Sequence, residues 1–226
     1  MKESRPLCAL TAVLTALALL TASIAAPILC RPFYYAHIGP LKLVERTGLT
    51  ENEIKTAFDE MLDYCLGAEE FSTGVLKWSE EGKAHFTDVR ELFLLDLRVL
   101  GVSFGLLAAA LLYAHFTGRR PARPLGCGPG FWAGAGLGAA FLLVGALAAL
   151  DFNRAFVVFH ALFFPGKDNW LFDPAEDQII NILPQEYFRD CALLILALLV
   201  LGCALLIAFD LRRGRGREKK PCNSPS

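Results

Sequence analysis

The chain has 226 residues, of which 54% are hydrophobic, and its mean hydropathy is +0.43. A soluble domain usually has about 45–50% apolar residues, so this composition argues against a purely soluble protein. The formal net charge of −1 offers no basic surface of the kind that binds nucleic acid, and we expect no nucleic-acid partner.

Four stretches of the chain are long and apolar enough to cross a membrane. A transmembrane helix needs about 20 mainly apolar residues to span a hydrocarbon core of about 30 Å. The stretches that meet this requirement are approximately 7–29, 99–116, 131–150 and 191–209. The sequence therefore predicts an all-α membrane protein: a four-transmembrane-helix bundle with helical extracytoplasmic segments, forming a single membrane domain over residues 1–226.

Lysine and arginine near the ends of these stretches predict the orientation. They cluster before the first span, between the second and third, and after the fourth, at Lys2 and Arg5, at Arg119, Arg120 and Arg123, and at Arg212, Arg213, Arg215, Arg217, Lys219 and Lys220. Because such clusters favour the cytoplasm, we expect both termini, the loop 117–130 and the tail 210–226 on the cytoplasmic side of the cell membrane. The segments 30–98 and 151–190 are then extracytoplasmic.

The first 30 residues also resemble a cleavable secretory signal, with a basic start and small residues at 22–26. Their apolar run is longer than the about 7–15 residues of a signal core. We therefore expect this segment to be retained as the first span.

Both outer segments contain helix signals. Thr50 and Glu53 form a capping-box pattern before a predicted amphipathic helix at 51–65. Ser79 is an expected N-cap for a second helix that continues into the second span. In the other outer segment, the aromatic run 156–166 is too short to span and predicts an interfacial or re-entrant element, followed by a short helix near 175–183.

Two histidines, His85 and His160, are the residues best suited to chemistry. Both lie on outer segments near the predicted membrane surface, and Asp88 lies three residues after His85, on the same helical face. A carboxylate there could fix the tautomer of the ring. A purely structural role for each histidine is an open alternative.

Other catalytic patterns are weak. The GxSxG around Ser103 lies inside the second span, where small residues usually serve helix packing. Gly134 and Gly138 form a GxxxG that predicts close packing within the bundle. The seven cysteines include no CxxC and the sequence has no HExxH, so we expect neither a metal site nor a cofactor.

Several motifs resemble one family of membrane proteins. They are the run EGKAHFTDVR at 81–90, Phe159-His160, WLFDP at 170–174 and Ile182-Leu183-Pro184. Together with the chain length and the four-span layout, they are similar to a family of Gram-positive integral membrane proteins that contains the lipoprotein intramolecular transacylase.

The resemblance implies an acyltransferase that acts on a diacylated lipoprotein in membrane lipid. The sn-2 acyl chain of the diacylglyceryl-cysteine moves to the cysteine α-amine, which gives the lyso form. By this resemblance His85 is the principal base and His160 a second acid/base or oxyanion donor. Asp88, Trp170 and Asp173 are supporting residues, no cofactor is needed, and no oligomeric state is indicated.

The chemistry of the residues agrees with this reaction. An α-amine with a pKa of about 7.7–8.0 needs a base at neutral pH, and histidine can accept that proton and return it. If both histidines act on one substrate, their ring nitrogens should lie within roughly 10 Å. Aromatic residues should line the opening to lipid, drawn from Phe156, Phe159, Phe163, Phe164 and Trp170.

Two other functions are compatible with the residues. One is a metal-dependent membrane hydrolase that uses His85, His160 and outer acidic residues. The other is a non-enzymatic assembly or sensing protein in which both histidines are structural.

Overall fold

The fold is described from a computed structural model, which covers residues 2–218. Two of the basic tail residues, Lys219 and Lys220, lie outside this range. The elements in chain order are β1 (Lys2–Ser4), α1 (Arg5–Leu29), α2 (Arg31–Ile38), α3 (Leu43–Thr47), α4 (Glu51–Cys65), α5 (Glu80–Thr117), β2 (Arg119–Pro121), α6 (Pro129–Leu150), α7 (Phe152–Phe163) and α8 (Gln185–Glu218).

Four of these helices, α1, α5, α6 and α8, are long and apolar enough to cross a membrane. The predicted all-α membrane fold with four transmembrane helices is thereby confirmed. At 1.5 Å per residue, the 38 residues of α5 extend about 57 Å, nearly twice the thickness of a hydrocarbon core. Only part of α5 can therefore lie within the membrane, and its first turns belong to the segment 30–98.

The chain forms two compact units, and the first comprises 2–23, 99–145 and 196–218 of the described residues. Within it, α6 packs closely on α8, because a Cβ at Gly134 would lie 2.8 Å from the carbonyl oxygen of Cys203, and Gly138 faces the side chain of the same cysteine. The GxxxG thus serves packing within the chain. The carboxylate of Asp210 accepts hydrogen bonds from the Arg123 guanidinium and from the backbone N–H of Gly128, which links α8 to the loop before α6.

The second unit, 24–98 and 146–195, has an aromatic core. Tyr34 is fully buried, stacks on Phe58 with ring centroids 3.7 Å apart, and donates its hydroxyl to the carbonyl of Ile182 at 2.9 Å. Helix α4 begins with the predicted capping box: Thr50 Oγ1 accepts from the N–H of Glu53, whose carboxylate accepts from the N–H of Thr50.

One predicted helix of this unit is wrong. The segment 175–183 is not an α-helix but a turn followed by a short 3₁₀ turn, Gln178–Asn181. The backbone N–H of Gln178 donates to the carbonyl of Lys77, and its side-chain oxygen accepts from the N–H of Lys77. These tertiary hydrogen bonds replace the i to i+4 bonds that an α-helix would need. The short helices α2 and α3 are additional elements that the pattern analysis did not predict.

Candidate active site

His85 lies in the second turn of α5, and a buried carboxylate fixes the start of that helix. Ser79 is the N-cap, since its hydroxyl accepts the N–H of Gly82 at 2.9 Å. Asp177 in turn accepts the N–H and the hydroxyl of Ser79, each at 2.8 Å. A Cβ at Gly82 would lie 2.7 Å from Cγ of Asp177, so only glycine fits beside the carboxylate. This arrangement, the Asp177 clasp, holds the first turn of α5 against the 3₁₀ turn and thereby positions His85.

His160 lies near the end of α7, the aromatic helix of the segment 151–190. Asp151 caps the start of α7 by accepting the N–H of Arg154 at 2.9 Å. The Nδ1 of His160 lies 2.8 Å from the carbonyl oxygen of Phe156. Because a carbonyl only accepts, Nδ1 carries the proton, and in the neutral ring Nε2 keeps its lone pair. His160 is thus held in the tautomer whose Nε2 accepts a proton.

The two histidines are brought together although 75 positions separate them in the sequence. Their ring centroids are 5.9 Å apart and their planes are inclined by 27°. The side chains are 6% and 7% exposed, for His85 and His160 respectively. The separation is within the limit expected for two groups that act on one substrate.

Aromatic rings surround this pair. Phe164 contacts both histidines, with centroid distances of 5.0 Å to His85 and 5.7 Å to His160. The remaining rings are Phe86 and Phe172, 5.8 and 5.4 Å from His85, and Trp170, Phe156 and Phe159, which lie 4.4, 4.3 and 5.4 Å from His160. Of the aromatic residues expected here, only Phe163 makes no ring contact with a histidine; it packs on Phe159. The site is therefore an apolar enclosure around two imidazoles.

Asp88 binds the loop that follows α7 and not the ring of His85. Its carboxylate accepts from Lys167 Nζ at 2.6 Å and from Asn169 Nδ2 at 3.3 Å. The Nδ1 of His85 and the Oδ1 of Asn169 are both buried and have no hydrogen-bond partner. Asn169 is brought near His85 because its amide nitrogen is bonded to Asp88, which follows His85 by three residues on the same helical face.

Trp170 and Asp173 lie in the same loop and have different roles in its geometry. The indole of Trp170 stacks on His160, and its N–H donates to the carbonyl of Lys167 at 3.2 Å. Asp173 accepts the N–H of Ala175 at 2.9 Å, so its carboxylate serves the turn before the 3₁₀ segment. Trp170 therefore contacts a histidine directly, whereas the hydrogen bond of Asp173 is to the backbone.

Burial decides the charge state of this site. It lowers the pKa of His160 below its usual value of 6.5, although the hydrogen bond to Phe156 acts in the opposite direction. Two imidazoles this close also repel each other when both are charged. The pair is therefore suited to hold one proton at a time.

Two side chains of the types that form covalent intermediates, Cys65 and Ser103, are inert in this setting. Cys65 is fully buried, and burial raises the pKa of its thiol to about 12, so it is not a thiolate at neutral pH. Ser103 is 2% exposed inside α5, as expected for a packing residue. A site built from two imidazoles can transfer protons but offers no activated nucleophile of its own.

The other two histidines have separate surroundings. His37 donates from Nδ1 to the carbonyl of Phe33, and its Nε2 lies 3.4 Å from the carboxylate of Asp190. His115 is exposed near the end of α5, beside Phe116. Within 2–218, no group of three or more His, Cys, Asp or Glu side chains is placed to hold a metal ion.

Three residues of this region were not singled out from the sequence. Asn169 and Phe172 lie in the same loop as Trp170 and Asp173, which the sequence did indicate. A polar amide within an aromatic run is the only local signal for Asn169. Asp177 acts on Ser79 across 98 positions, a separation that leaves no local pattern.

Comparison with known proteins identifies relatives. The family model "Lipoprotein intramolecular transacylase Lit" matches residues 9–188. The structure is similar to that of the membrane-integral lipoprotein intramolecular transacylase Lit from Bacillus cereus, with a TM-score of 0.81 and 23% identity over 95% of this chain and 97% of that one.

Two further solved structures of the same Bacillus cereus protein, in which one histidine is replaced by arginine or by alanine, match with TM-scores of 0.77. Both are 22% identical over 95% of this chain, and they are covered to 93% and 94%. No curated protein sequence matches the chain.

Proposed function

Because the chain belongs to the lipoprotein intramolecular transacylase family, we propose that it moves an acyl chain within a diacylated lipoprotein. The substrate is a lipoprotein whose N-terminal cysteine carries a thioether-linked diacylglyceryl group. The sn-2 acyl chain moves from its glyceryl oxygen to the cysteine α-amine, which gives the lyso form. The observation that carries this proposal is the buried pair His85 and His160, with ring centroids 5.9 Å apart.

The reaction needs a proton to be removed and then returned. The lone pair of the α-amine attacks the ester carbonyl carbon, and His85 accepts a proton from the amine nitrogen. The C–O bond of the ester then breaks, and the departing glyceryl oxygen takes up a proton from the histidine pair. One ester is lost, one amide and one hydroxyl are formed, and neither water nor an external acyl donor is consumed.

Two histidines suit this sequence better than one. The amine and the glyceryl oxygen are different proton-transfer sites on one substrate, and each needs a group within hydrogen-bonding reach. The Nε2 of His160 is free because Nδ1 is bonded to Phe156. Once protonated, His160 can donate to the developing oxyanion or to the departing oxygen, while His85 serves the amine.

Donor and acceptor belong to the same molecule, and this removes the need for a covalent intermediate. Well-oriented intramolecular reactions reach effective concentrations of about 10⁵ M or more. The inert surroundings of Cys65 and Ser103 agree with such a direct transfer. The contribution of the protein is then to orient the amine toward the ester and to exclude water.

The acyl chains must stay in an apolar medium during the transfer. Helix α7 provides a surface for them, because His160 is buried on one face while Val158 and Leu162 are 56% and 71% exposed on others. Phe163 is also exposed. We propose that this apolar surface contacts lipid and that the substrate reaches the histidines from the bilayer.

The proposed orientation places this site on the extracytoplasmic face. Both histidines belong to the outer segments 30–98 and 151–190, whereas the three basic clusters lie at the opposite ends of the spans in sequence. With this orientation the termini are cytoplasmic and the lipidated cysteine is reached from outside the cell membrane.

The function can be tested in a bacterium that makes only diacylated lipoproteins. The O-to-N shift leaves the mass of the lipopeptide unchanged, so the readouts are the fragment masses and the loss of an amine that reagents can modify. Expression of the parent protein should convert lipoproteins to a form with a blocked amine, and His85→Ala should abolish this.

His115→Ala is the matched control, because it replaces the same residue type near the other end of the same helix. It should convert lipoproteins as the parent does. Equal conversion by His85→Ala and the parent protein, at equal protein levels, would remove His85 from the mechanism.

A further inference from the structure

Two complementary polar atoms are buried without partners in the candidate active site. The Nδ1 of His85 and the Oδ1 of Asn169 have no hydrogen bond, although nearly all buried polar atoms in proteins have one. An imidazole nitrogen can carry a proton, whereas an amide oxygen can only accept one. One hydrogen bond between them would satisfy both atoms.

The orientation of Asn169 is set from its other side. Its Nδ2 donates to the carboxylate of Asp88, which can only accept, so the amide nitrogen faces Asp88 and the amide oxygen is left for another donor. Asp88 is itself held by Lys167 at 2.6 Å. Since Asp88 lies three residues after His85 on the same face of α5, its bond with Asn169 holds the carboxamide on the side of the helix that carries His85.

Burial favours a hydrogen bond between His85 Nδ1 and Asn169 Oδ1, because water cannot replace the missing partner of either atom. His85 is 6% exposed and is enclosed by Phe86, Phe164 and Phe172, so water has little access to its ring. A buried polar atom left without a partner destabilises the folded protein. Asn169 is suited to accept from Nδ1, because its Oδ1 is a buried acceptor that has no other partner.

We propose that Asn169 is a positioning residue, which accepts a hydrogen bond from Nδ1 of His85 and is itself oriented by Asp88. This bond holds the proton on Nδ1 and leaves the lone pair on Nε2, the nitrogen that takes the amine proton. Asp88 therefore acts on His85 through Asn169. The catalytic consequence rests on the proposed function, whereas the tautomer of His85 does not.

The tautomer can be measured directly by ¹⁵N nuclear magnetic resonance on histidine-labelled protein in lipid nanodiscs. The four histidines are assigned by replacing each in turn. At neutral pH the parent protein should show His85 protonated on Nδ1 and unprotonated on Nε2. In Asn169→Ala the fraction protonated on Nε2 should rise.

Activity provides the second readout. Loss of one hydrogen bond of ordinary strength should lower kcat of Asn169→Ala about tenfold with little change in KM, since Asn169 acts on His85 and not on the substrate. Asn153→Ala is the control: Asn153 is an asparagine of the same unit and is bonded to Gln185. It should leave both the tautomer and kcat at parent values.

The outcomes separate the two proposals. A parent protein that lacks transacylase activity but has His85 protonated on Nδ1, with that state lost in Asn169→Ala, would contradict the function and support the role of Asn169. His85 protonated on Nε2 in the parent protein would overturn that role even if Asn169→Ala does not fold. So would a folded Asn169→Ala variant with an unchanged tautomer.

Discussion

Replacing Gly82 with alanine should damage both stability and activity, because Gly82 lies against the Asp177 clasp. The new Cβ would lie 2.7 Å from Cγ of Asp177, whereas ordinary contacts begin at 3.4 Å. Because Oδ1 would lie closer still, the carboxylate must retreat by more than about 0.7 Å, which stretches the 2.8 Å hydrogen bond between Oδ1 and the N–H of Ser79 beyond the limit of bonding.

The magnitude follows from the two donors that Asp177 holds. Hydrogen bonds to a charged group contribute about 1.5–3 kcal/mol each, so loss of the bonds from the N–H and hydroxyl of Ser79 costs about 3–6 kcal/mol. Alanine regains at most about 1 kcal/mol of helix propensity. We expect Gly82→Ala to lower the free energy of unfolding by about 2–5 kcal/mol and to reduce conversion of lipoprotein, because His85 follows one turn later.

The assay is unfolding in detergent together with lipoprotein conversion in cells. Gly101→Ala is the control in the same helix, since a Cβ there meets no atom within 4 Å, and it should be at least as stable as the parent protein. The double variant Gly82→Ala/Asp177→Ala should be no less stable than Asp177→Ala alone, because the clash partner is gone. Equal stability of Gly82→Ala and Gly101→Ala would show that Asp177 does not restrict the side chain at position 82.

Three other predictions concern charge, pH and orientation. Arg123→Ala should lower the free energy of unfolding by about 3–5 kcal/mol, because it leaves the buried carboxylate of Asp210 without its ion-pair partner. The double variant Arg123→Met/Asp210→Leu should lose less stability, because it removes both charges. Chemical unfolding of the two variants measures both losses, and equal losses would contradict this prediction. Because burial lowers the pKa of His160 below 6.5, the unfolded chain binds a proton at this residue more readily than the folded protein does. The unfolding midpoint should therefore fall as the pH drops below 6.5, and it should fall less in His160→Gln. An identical pH dependence of the parent protein and His160→Gln would contradict this. In variants with a single cysteine, Cys30 should react with an impermeant thiol reagent in intact cells and Cys127 only after the cells are permeabilised; the reverse pattern would invert the proposed orientation.

Local patterns predict much of the fold. The four spans follow from runs of apolar residues, and the start of α4 follows from the pairing of Thr50 with Glu53, a signal four residues long. The start of α5 after Ser79 was likewise predictable from the acidic residues that come next. Each of these signals depends only on neighbours in the sequence.

Contacts between distant polar residues were not predictable in this way. The Asp173-Pro174 start predicts a helix over 175–183. However, Asp177 and Gln178 form hydrogen bonds with the irregular segment before α5, and these bonds prevent a regular helix. Asn169 binds Asp88 across 81 positions, and neither residue carries a pattern that indicates the other. The same holds for Tyr34, whose hydroxyl binds Ile182 across 148 positions.

The sequence indicated which residues lie together in the candidate site better than it indicated the hydrogen bonds between them. His85, His160 and Trp170 lie together, as two histidines serving one reaction require. Asp88 was expected to orient His85 directly because it lies one helical turn away, but its oxygens bind Lys167 and Asn169. A helical spacing predicts which residues share a face and does not decide between competing partners on another segment.

The most direct test of the account uses the purified protein in liposomes with a synthetic diacylglyceryl-cysteine lipopeptide and no other acyl donor. The lipopeptide should keep its mass while its α-amine becomes acylated and one glyceryl hydroxyl is freed. His85→Ala should reduce the rate of this conversion to background, and His115→Ala should leave it unchanged. Release of free fatty acid with the amine still reactive would show a hydrolase instead. An unchanged lipopeptide after incubation with folded parent protein would contradict the central claim.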